Sequence, residues 1–228
     1  MRLDELNILI SCEASQTICK AFRQLNFNAF SNDIVKCYGG YPEWHLQMDA
    51  FEALKIKEWH LLIAHPPCQY LSYVGNKWLK DEYNLQYDLF DGLVTRKDKR
   101  INAFKFFMKF VNANVQHICI ENPVGIVGKW YRKQDQIIHP YYFGDDYKKR
   151  TCLWLKNLPL LEKTNLLPEP KPYYYTSTKK KPIQWVESVG RNKNSRQIRS
   201  KTFPGIAEAM AKQWGDYLKK YYNVSSSQ

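Results

Sequence analysis

Residues 6–33 read LNILISCEASQTICKAFRQLNFNAFSND, and this stretch decides the fold. It begins with the apolar run Leu6–Ile10, which has the length and composition of a buried strand. Ser15–Leu25 then places apolar residues at helical spacing, and Asn28–Phe30 predicts a second strand that ends in a polar tripeptide. A strand, a helix and a strand in this order predict a right-handed βαβ unit and a parallel sheet.

The rest of the chain continues the alternation of strands and helices. Further strands are predicted at His60–Ala64, His117–Ile120, Ile137–Phe143 and Cys152–Leu155, and helices at Phe51–Ile56, Arg100–Val111 and Gly205–Tyr222. The predicted helix Arg100–Val111 carries an aromatic stripe that we expect in the core, formed by Phe104, Phe106, Phe107 and Phe110. Residues 69–99 lack a clear period and are interpreted as a long loop that has room for one short helix, and residues 158–201 are interpreted as irregular. We therefore expect an α/β fold with a mostly parallel sheet and helices on both faces.

Length and composition restrict the class of protein. At 228 residues and 27.1 kDa the chain suits one domain with at most a small appendage, and 44% hydrophobic residues can build a sizeable core. No apolar run approaches the roughly 18 residues that suggest a membrane span. Met1–Leu9 carries charges of both signs and no cleavage-site pattern, so we expect no signal peptide, no membrane partner and a cytoplasmic location.

The charge balance suggests an anionic partner. Lys and Arg number 34 against 22 Asp and Glu, which gives a net charge of +12 and a pI near 9.3. Nucleic acid is the commonest such partner because neutralising its phosphates releases counterions. The 15% aromatic content suits stacking on bases, although a basic protein without this partner stays an alternative.

The cysteines form no metal-binding pattern. All six are scattered without a C-x-x-C pair, and the five histidines do not cluster with them, so we expect no zinc and no other metal. Most of the cysteines are interpreted as reduced core residues, and only Cys68 stands in a loop-like setting.

Polar and reactive residues follow the predicted strands, whose carboxyl ends meet at the ligand-binding edge of a parallel sheet. These segments are Ser11-Cys12-Glu13, Asn32-Asp33, His65-Pro66-Pro67-Cys68 and Glu121-Asn122-Pro123. The two prolines hold Cys68 on a stiff extended segment, which suits a nucleophile, although an ordinary cysteine beside a turn fits the same tetrapeptide. Glu121 is either an acid in the same cleft or the cap of a following helix.

Two aspartates admit two interpretations each. Asp33, at the tip of the second strand, can accept hydrogen bonds from both ribose hydroxyls of a nucleotide or serve as a cap or turn residue. Asp49 can accept a bond from an adenine amino group or cap the short helix that follows it. Spacing alone does not separate these alternatives.

Five motifs occur in order along the chain. They are Ser31-Asn32-Asp33, Asp49, PCQYLSYVG at 67–75, Glu121-Asn122, and Phe203–Ala209, accompanied by CEAS at 12–15, IENP at 120–123 and RSKTFPGIAEAMA at 199–211. Over residues 6–222, with a gap in the fit between 156 and 199, they resemble the cytosine 5-methyltransferases of DNA, in particular the short forms of phages and prophages. The resemblance implies a Rossmann-like class I methyltransferase fold and, for a phage protein, the cytoplasm of the host cell.

The resemblance also implies a cofactor, a substrate and roles for particular residues. The cofactor would be S-adenosylmethionine or an analogue with a modified methyl group. Cys68 would add to ring carbon 6 of cytosine, Glu121 would donate to or protonate ring nitrogen 3, and Arg150 would contact the base or a phosphate. The implied cofactor contacts are Cys12, Glu13, Ser15, Asp33, Ile34, Asp49, Pro66 and Glu208. The implied substrate contacts are Pro67, Gln69, Ser72, Asn122, Pro123 and Lys149.

The chain departs from the family pattern at three places. Residues 12–16 replace a glycine-rich cofactor loop, 148–151 replace a pair of spaced arginines, and no long target-recognition domain fits between 155 and 199. The segment 158–202 is instead basic and aromatic, as in either a loosely specific nucleic-acid track or a solvated loop. We therefore divide the chain into a catalytic domain at 1–157, this segment, and a C-terminal helix with a frayed tail at 203–228.

Three functions stay open at this point. The first is methylation of cytosine in single-stranded or duplex DNA. The second is modification of a free deoxycytidine nucleotide, which the missing recognition domain favours. The third is a catalytically silent protein that binds nucleic acid or cofactor, and the presence of both Cys68 and Glu121 argues against it.

Overall fold

The computed structural model describes residues 1–79, 86–88, 92–172, 174–175, 182–183 and 202–224. Its strands are β1 (Asn7–Ser11), β2 (Asn28–Asp33), β3 (His45–Gln47), β4 (Leu61–Ala64), β5 (Gln86–Asp88), β6 (Gly92–Val94), β7 (His117–Pro123), β8 (Gln136–Ile138), β9 (Thr151–Lys156), β10 (Tyr174–Tyr175) and β11 (Pro182–Ile183). Seven of them form the central sheet, in the order β3-β2-β1-β4-β7-β9-β8. The pairs β5-β6 and β10-β11 are separate antiparallel ribbons.

The sheet is mixed but mostly parallel. β3, β2, β1, β4 and β7 pair in parallel, whereas β9 runs antiparallel to β7 and β8 antiparallel to β9. The predicted α/β class with a mostly parallel sheet is therefore confirmed. The predicted strand Ile137–Phe143 was wrong in its second half, because Pro140 has no N–H to donate and begins a 3-10 helix, Pro140–Tyr142.

Helices cover both faces of the sheet. They are α1 (Thr17–Gln24), α2 (Ala50–Ala53), α3 (Arg96–Val111), α4 (Val127–Trp130) and α5 (Pro204–Tyr221). Side chains alternate along a strand, so Ile8 and Ile10 join the core under α1 and α5, whereas Leu9 joins the core under α2, α3 and α4. The predicted aromatic stripe of α3 lies in this second core, where Phe107 and Phe110 are fully buried.

Two helices begin differently from the prediction. Helix α1 begins at Thr17, two residues after the predicted start at Ser15, and its N-cap is Gln16 in the left-handed conformation. Helix α3 begins at Arg96, four residues before the predicted start, because Thr95 and a carboxylate three residues later form a capping box. The long loop predicted before α3 contains the 3-10 helix Tyr73–Leu79, which agrees with the one short helix for which the prediction left room.

Helix α5 is anchored in the first core. The indole of Trp214 is fully buried and donates to the Pro159 carbonyl oxygen at 3.0 Å. The Asp145 carboxylate accepts the Gly205 N–H at 2.9 Å and so caps the helix from another segment. A Cβ at Gly205 would collide with the Phe143 carbonyl oxygen, so the close approach of these two segments requires glycine.

Within the described residues, no helix is both long and apolar enough to cross a membrane. The predicted nucleic-acid track centres on a tyrosine and lysine cluster at 173–181 and on basic residues at 191–199. Apart from Tyr174 and Tyr175 of β10, these residues lie outside the described part of the chain.

Candidate active site

The sheet reverses its strand order between β1 and β4. β2 and β3 lie on one side of β1, and β4 and β7 on the other. Ser11 of β1 lies beside Ala64 of β4, and Ala64 beside Ile120 of β7. The next residues along the three strands, at the same edge, are Cys12, His65 and Glu121. Open α/β sheets bind their ligands at such a reversal, outside the carboxyl ends of the strands.

The loop that carries Cys68 is tied to the end of β7. Asn122 donates its side-chain N–H to the Pro66 carbonyl oxygen at 2.9 Å. Further along, Ile126 donates its backbone N–H to the Leu71 carbonyl oxygen at 2.8 Å. The two loops therefore run side by side, and the fold brings the segments of Cys68 and Glu121 to one edge.

Cys68 stands at a turn in this loop. Its carbonyl oxygen accepts the N–H groups of Leu71 and Ser72, both at 3.0 Å. The residue is exposed, and no disulfide joins the six cysteines, all of which are described. The expectation that only Cys68 lies in a loop was wrong, because Cys12 and Cys37 also lie outside strands and helices. An exposed thiol on a doubly anchored loop has the accessibility and positioning that a nucleophile needs.

Glu121 lies within β7 and does not cap a helix, because the N-cap of α4 is Ile126. Its side chain is 17% exposed, and its Oε2 lies 3.3 Å from His65 Nδ1. Burial by itself raises the pKa of Glu121, but the His65 hydrogen bond and the charge of Lys149 outweigh burial, so the pKa lies below its usual value. The carboxylate is therefore ionised at neutral pH.

Lys149, not Arg150, is the cation that acts on Glu121. Glu121 pairs with Leu153 across the two strands, so the two side chains share a face of the sheet. Lys149 and Arg150 lie in the segment directly before β9, which begins at Thr151. The charge of Lys149 lowers the pKa of Glu121, whereas the charge of Arg150 lowers the pKa of the Cys152 thiol. A base or phosphate contact by Arg150 stays a prediction.

Cys12 lies close to both aspartates of the predicted cofactor site. Its backbone has a φ of 61°, in the left-handed region where glycine is common. Burial raises the pKa of the Cys12 thiol strongly, and the carboxylates of Asp33 and Asp49 raise it further. The structure thus brings these three predicted cofactor residues close together, at the ends of β1 and β2 and directly before α2.

Each aspartate also has the local role that the sequence left open. Asp33 Oδ1 accepts the Val35 N–H at 3.2 Å and closes a turn at the tip of β2. This turn leaves Ile34 73% exposed, so its apolar side chain is available to a flat ligand. Asp49 caps α2 by accepting the N–H groups of Phe51 and Glu52 through the single oxygen Oδ1.

Glu13 is committed to the fold. The residue is buried, and its carboxylate accepts the Ile18 and Cys19 N–H groups at 2.7 and 3.2 Å, at the start of α1. Burial raises the pKa of Glu13 against the opposing effect of His65. Ser15 is also buried and lies 3.5 Å from Glu13 through its hydroxyl oxygen. A direct cofactor contact by either residue stays a prediction.

The remaining predicted contacts are spread around this edge. Pro67 and Gln69 are exposed in the Cys68 loop, Ser72 bridges to Gly125, and Pro123 pairs with Thr151 at the end of β7. Glu208 is exposed on the first turns of α5, where it acts on Asp145. Its described interaction is thus with the segment before β9 and not with the Asp33 side of the edge.

Four buried polar atoms at this edge have no hydrogen-bond partner among the described residues. They are Ser11 Oγ, Asn32 Oδ1, His65 Nε2 and Asn122 Oδ1. They belong to residues at or directly after the ends of four neighbouring strands, β1, β2, β4 and β7. Buried polar atoms nearly always have a hydrogen-bond partner in native proteins, so four unpaired atoms at one edge indicate a place where water or a ligand binds. The described residues contain no group of three metal-ligating side chains.

His65 is the site residue that the sequence did not single out. It was noted only as part of the polar strand end, because a lone histidine before two prolines carries no motif. Its position was the signal that could have identified it. His65 directly follows a buried strand, and the residue before it, Ala64, pairs with Ile120, the residue before Glu121.

Comparison with known proteins establishes no family. No protein-family profile and no curated protein matches the sequence. The solved structures that it resembles include a mutant form of DNMT2 from Spodoptera frugiperda, with a TM-score of 0.41, 13% identity and coverage of 82% of this chain. The chain spans 60% of the length of that protein. The function must therefore be argued from the residues at the carboxyl edge of the sheet.

Proposed function

We propose that the protein transfers a methyl group from S-adenosylmethionine to carbon 5 of cytosine in DNA, with Cys68 as a transient covalent nucleophile. One observation carries the proposal. The loop of Cys68 and the end of β7 with Glu121 meet at one edge, and the 2.9 Å bond from Asn122 to Pro66 ties them together. A nucleophile and a carboxylate at one edge of the sheet are the two groups that this chemistry requires.

Residues on the β1 and β2 side of this edge fit the cofactor. Asp33 is suited to the ribose hydroxyls, the exposed Ile34 to the flat face of adenine, and the second oxygen of Asp49 to the adenine amino group. The unpaired Ser11 Oγ and Asn32 Oδ1 lie at the same strand ends and supply further polar contacts. When bound, S-adenosylmethionine supplies an electrophilic methyl group for a carbon that the protein has made nucleophilic.

The protein's own part is to activate the pyrimidine. The Cys68 thiolate attacks ring carbon 6, and the electron pair of the 5,6 double bond moves towards carbon 5 and ring nitrogen 3. Ring nitrogen 3 takes a proton from solvent as negative charge develops there, and Glu121, ionised and acceptor-only, accepts the hydrogen bond of the resulting N–H. After carbon 5 has been methylated, solvent water takes its proton, the electron pair of that C–H bond re-forms the 5,6 double bond, and the Cys68 thiolate leaves ring carbon 6. Ring nitrogen 3 then returns its added proton to solvent.

DNA is the favoured substrate because the chain carries a net charge of +12. The target base must leave the stack to reach Cys68, either by flipping or because the strand is already single. A second candidate substrate is a free deoxycytidine nucleotide. The short stretch between β9 and α5, which leaves no space for a long recognition domain, favours this candidate.

The test is a transfer assay with methyl-labelled S-adenosylmethionine. Duplex DNA, single-stranded DNA and deoxycytidine monophosphate are offered separately, and the mass of the transferred group is measured in the product. We expect label in DNA with the wild type and with Cys37→Ala, a matched loop-cysteine control, and none with Cys68→Ala. Label in the nucleotide alone would support the second candidate, and no label in any acceptor would contradict both.

A further inference from the structure

His65 directly follows β4, and its backbone is fixed in the sheet. Its N–H donates to the Ser11 carbonyl oxygen at 3.0 Å, which extends the β1–β4 ladder by one residue. Its side chain is only 11% exposed, and Nδ1 lies 3.3 Å from Glu121 Oε2. The imidazole is therefore held beside Glu121 by a rigid strand end rather than by a flexible loop.

The charge state of Glu121 decides which ring nitrogen of His65 carries hydrogen. An ionised carboxylate can only accept, so the 3.3 Å contact requires a hydrogen on Nδ1. The bond occupies Oε2 of Glu121 and leaves its Oε1 for another partner. The other ring nitrogen, Nε2, is buried without a hydrogen-bond partner among the described residues.

Charged groups reach this pair from two other segments. Glu13 lies on the segment after β1 and interacts with His65 electrostatically. Lys149, from the segment before β9, acts on Glu121, and Glu121 in turn raises the pKa values of Cys119 in β7 and Cys152 in β9. His65 is the group among them that hydrogen-bonds the Glu121 side chain.

We propose that His65 is a positioning residue that clamps one oxygen of Glu121 and thereby presents the other oxygen to the cytosine ring. This role rests on the proposed function, since it requires Glu121 to meet the base. Without the clamp, the carboxylate would rotate, and burial would favour its neutral form. Substrate and cofactor would still bind through their other contacts, so kcat would fall while KM changed little.

Two amide variants separate the hydrogen bond from the bulk of the side chain. The amide nitrogen of asparagine lies near the position of imidazole Nδ1, and that of glutamine near the position of Nε2. We expect His65→Asn to retain most of the wild-type kcat. His65→Gln should lose about 10- to 100-fold in kcat, the usual effect of losing a hydrogen bond to a charged group. His60→Gln, at a buried histidine at the opposite edge of the sheet, is the matched control and should leave kcat unchanged.

A second readout does not depend on methyl transfer. The Glu121 side-chain carboxyl carbon is titrated by NMR with ¹³C-glutamate, and its resonance is assigned with Glu121→Gln. Because the His65 hydrogen bond lowers the pKa of Glu121, we expect a higher pKa in His65→Gln and a smaller change in His65→Asn. Thermal unfolding confirms that each variant is folded.

The outcomes distinguish the two proposals. Equal kcat losses in His65→Asn and His65→Gln, or the same Glu121 pKa in both, would overturn the role of His65. If the wild type transfers no methyl group to any acceptor, the proposed function fails. The titration alone then decides whether His65 holds Glu121.

Discussion

Replacing Gly125 by alanine should displace the Cys68 loop without touching either reacting group. Gly125 lies against the backbone of Leu71 and Ser72, where the loops of Cys68 and Glu121 run side by side. An added Cβ would lie 2.9 Å from the Leu71 carbonyl carbon, 3.0 Å from the Ser72 Cα, and closer still to the Leu71 oxygen. All three are backbone atoms, so the collision cannot be relieved by a change of rotamer.

The geometry sets the size of this displacement. Ordinary contact begins at 3.4 Å, so moving the carbonyl carbon out from 2.9 Å needs at least 3.4 − 2.9 = 0.5 Å, and the oxygen needs more. A misplacement of about 1 Å in an active site typically costs about 100-fold in rate. We therefore expect kcat to fall by about 10- to 100-fold, and the free energy of unfolding to fall by about 1–3 kcal/mol from overpacking.

The assay is methyl transfer at saturating substrates, together with thermal unfolding of each variant. Gly128→Ala is the matched control, because its Cβ would meet only the Gln134 side chain at 3.5 Å, an ordinary contact. Alanine is also a better helix former than glycine, so this control should keep its kcat and gain slightly in stability. A Gly125→Ala variant with wild-type kcat would refute the argument that this contact positions Cys68.

Three further predictions follow from the described contacts. Burial lowers the pKa values of three histidines below 6.5, so the unfolded chain binds more protons than the folded chain at mildly acidic pH. The free energy of unfolding should be constant above about pH 7 and should fall as the pH drops from about 6.5 through the pKa values of the folded chain. Urea titrations at several pH values measure this dependence. These histidines are His60, His117 and His139. Asp145→Ala should remove the cap on the Gly205 N–H and lower the free energy of unfolding by about 0.5–2 kcal/mol, and an unchanged urea midpoint would contradict this. Arg100→Lys should lose the 2.7 Å bond from Nε to the Tyr70 carbonyl oxygen and loosen the Cys68 loop, so that kcat falls while the cofactor Kd measured by calorimetry stays constant.

The sequence predicts the strands that are buried on both faces but not the edge strand β3. Leu61–Ala64 is a continuous apolar run, so its local pattern is sufficient. β3 has three residues and no fully buried side chain. It is held by the Asn32 side chain, which donates to the Leu46 and Met48 carbonyl oxygens at 2.8 and 2.9 Å. Such a strand depends on a tertiary contact that no local pattern contains.

The sequence contains a signal for the start of α3 that the prediction did not use. Thr95 followed three residues later by Asp98 is a helix-start signal, and both of their reciprocal hydrogen bonds are present. The prediction gave more weight to the apolar residues, which begin only later in the helix. Reading the cap before the apolar spacing would have placed the start correctly.

The ends of the predicted strands indicate which edge of the sheet carries the site residues. The groups that surround Glu121, however, depend on how the strands pair in the folded sheet. Cys68 and Glu121 both follow apolar runs, so their meeting at one edge follows from a parallel sheet. Lys149 acts on Glu121 from the segment directly before β9, which pairs antiparallel to β7. The local sequence does not contain this pairing, so it does not predict which cation approaches Glu121.

The most direct test of the central claim is covalent trapping on DNA that contains 5-fluoro-2′-deoxycytidine. Fluorine cannot leave carbon 5 as the proton does, so the attacking thiol stays bound to ring carbon 6. With S-adenosylmethionine present, we expect a protein–DNA adduct that survives denaturation and that peptide mass spectrometry maps to Cys68. An adduct on another cysteine, or one that persists in Cys68→Ala, would contradict the account.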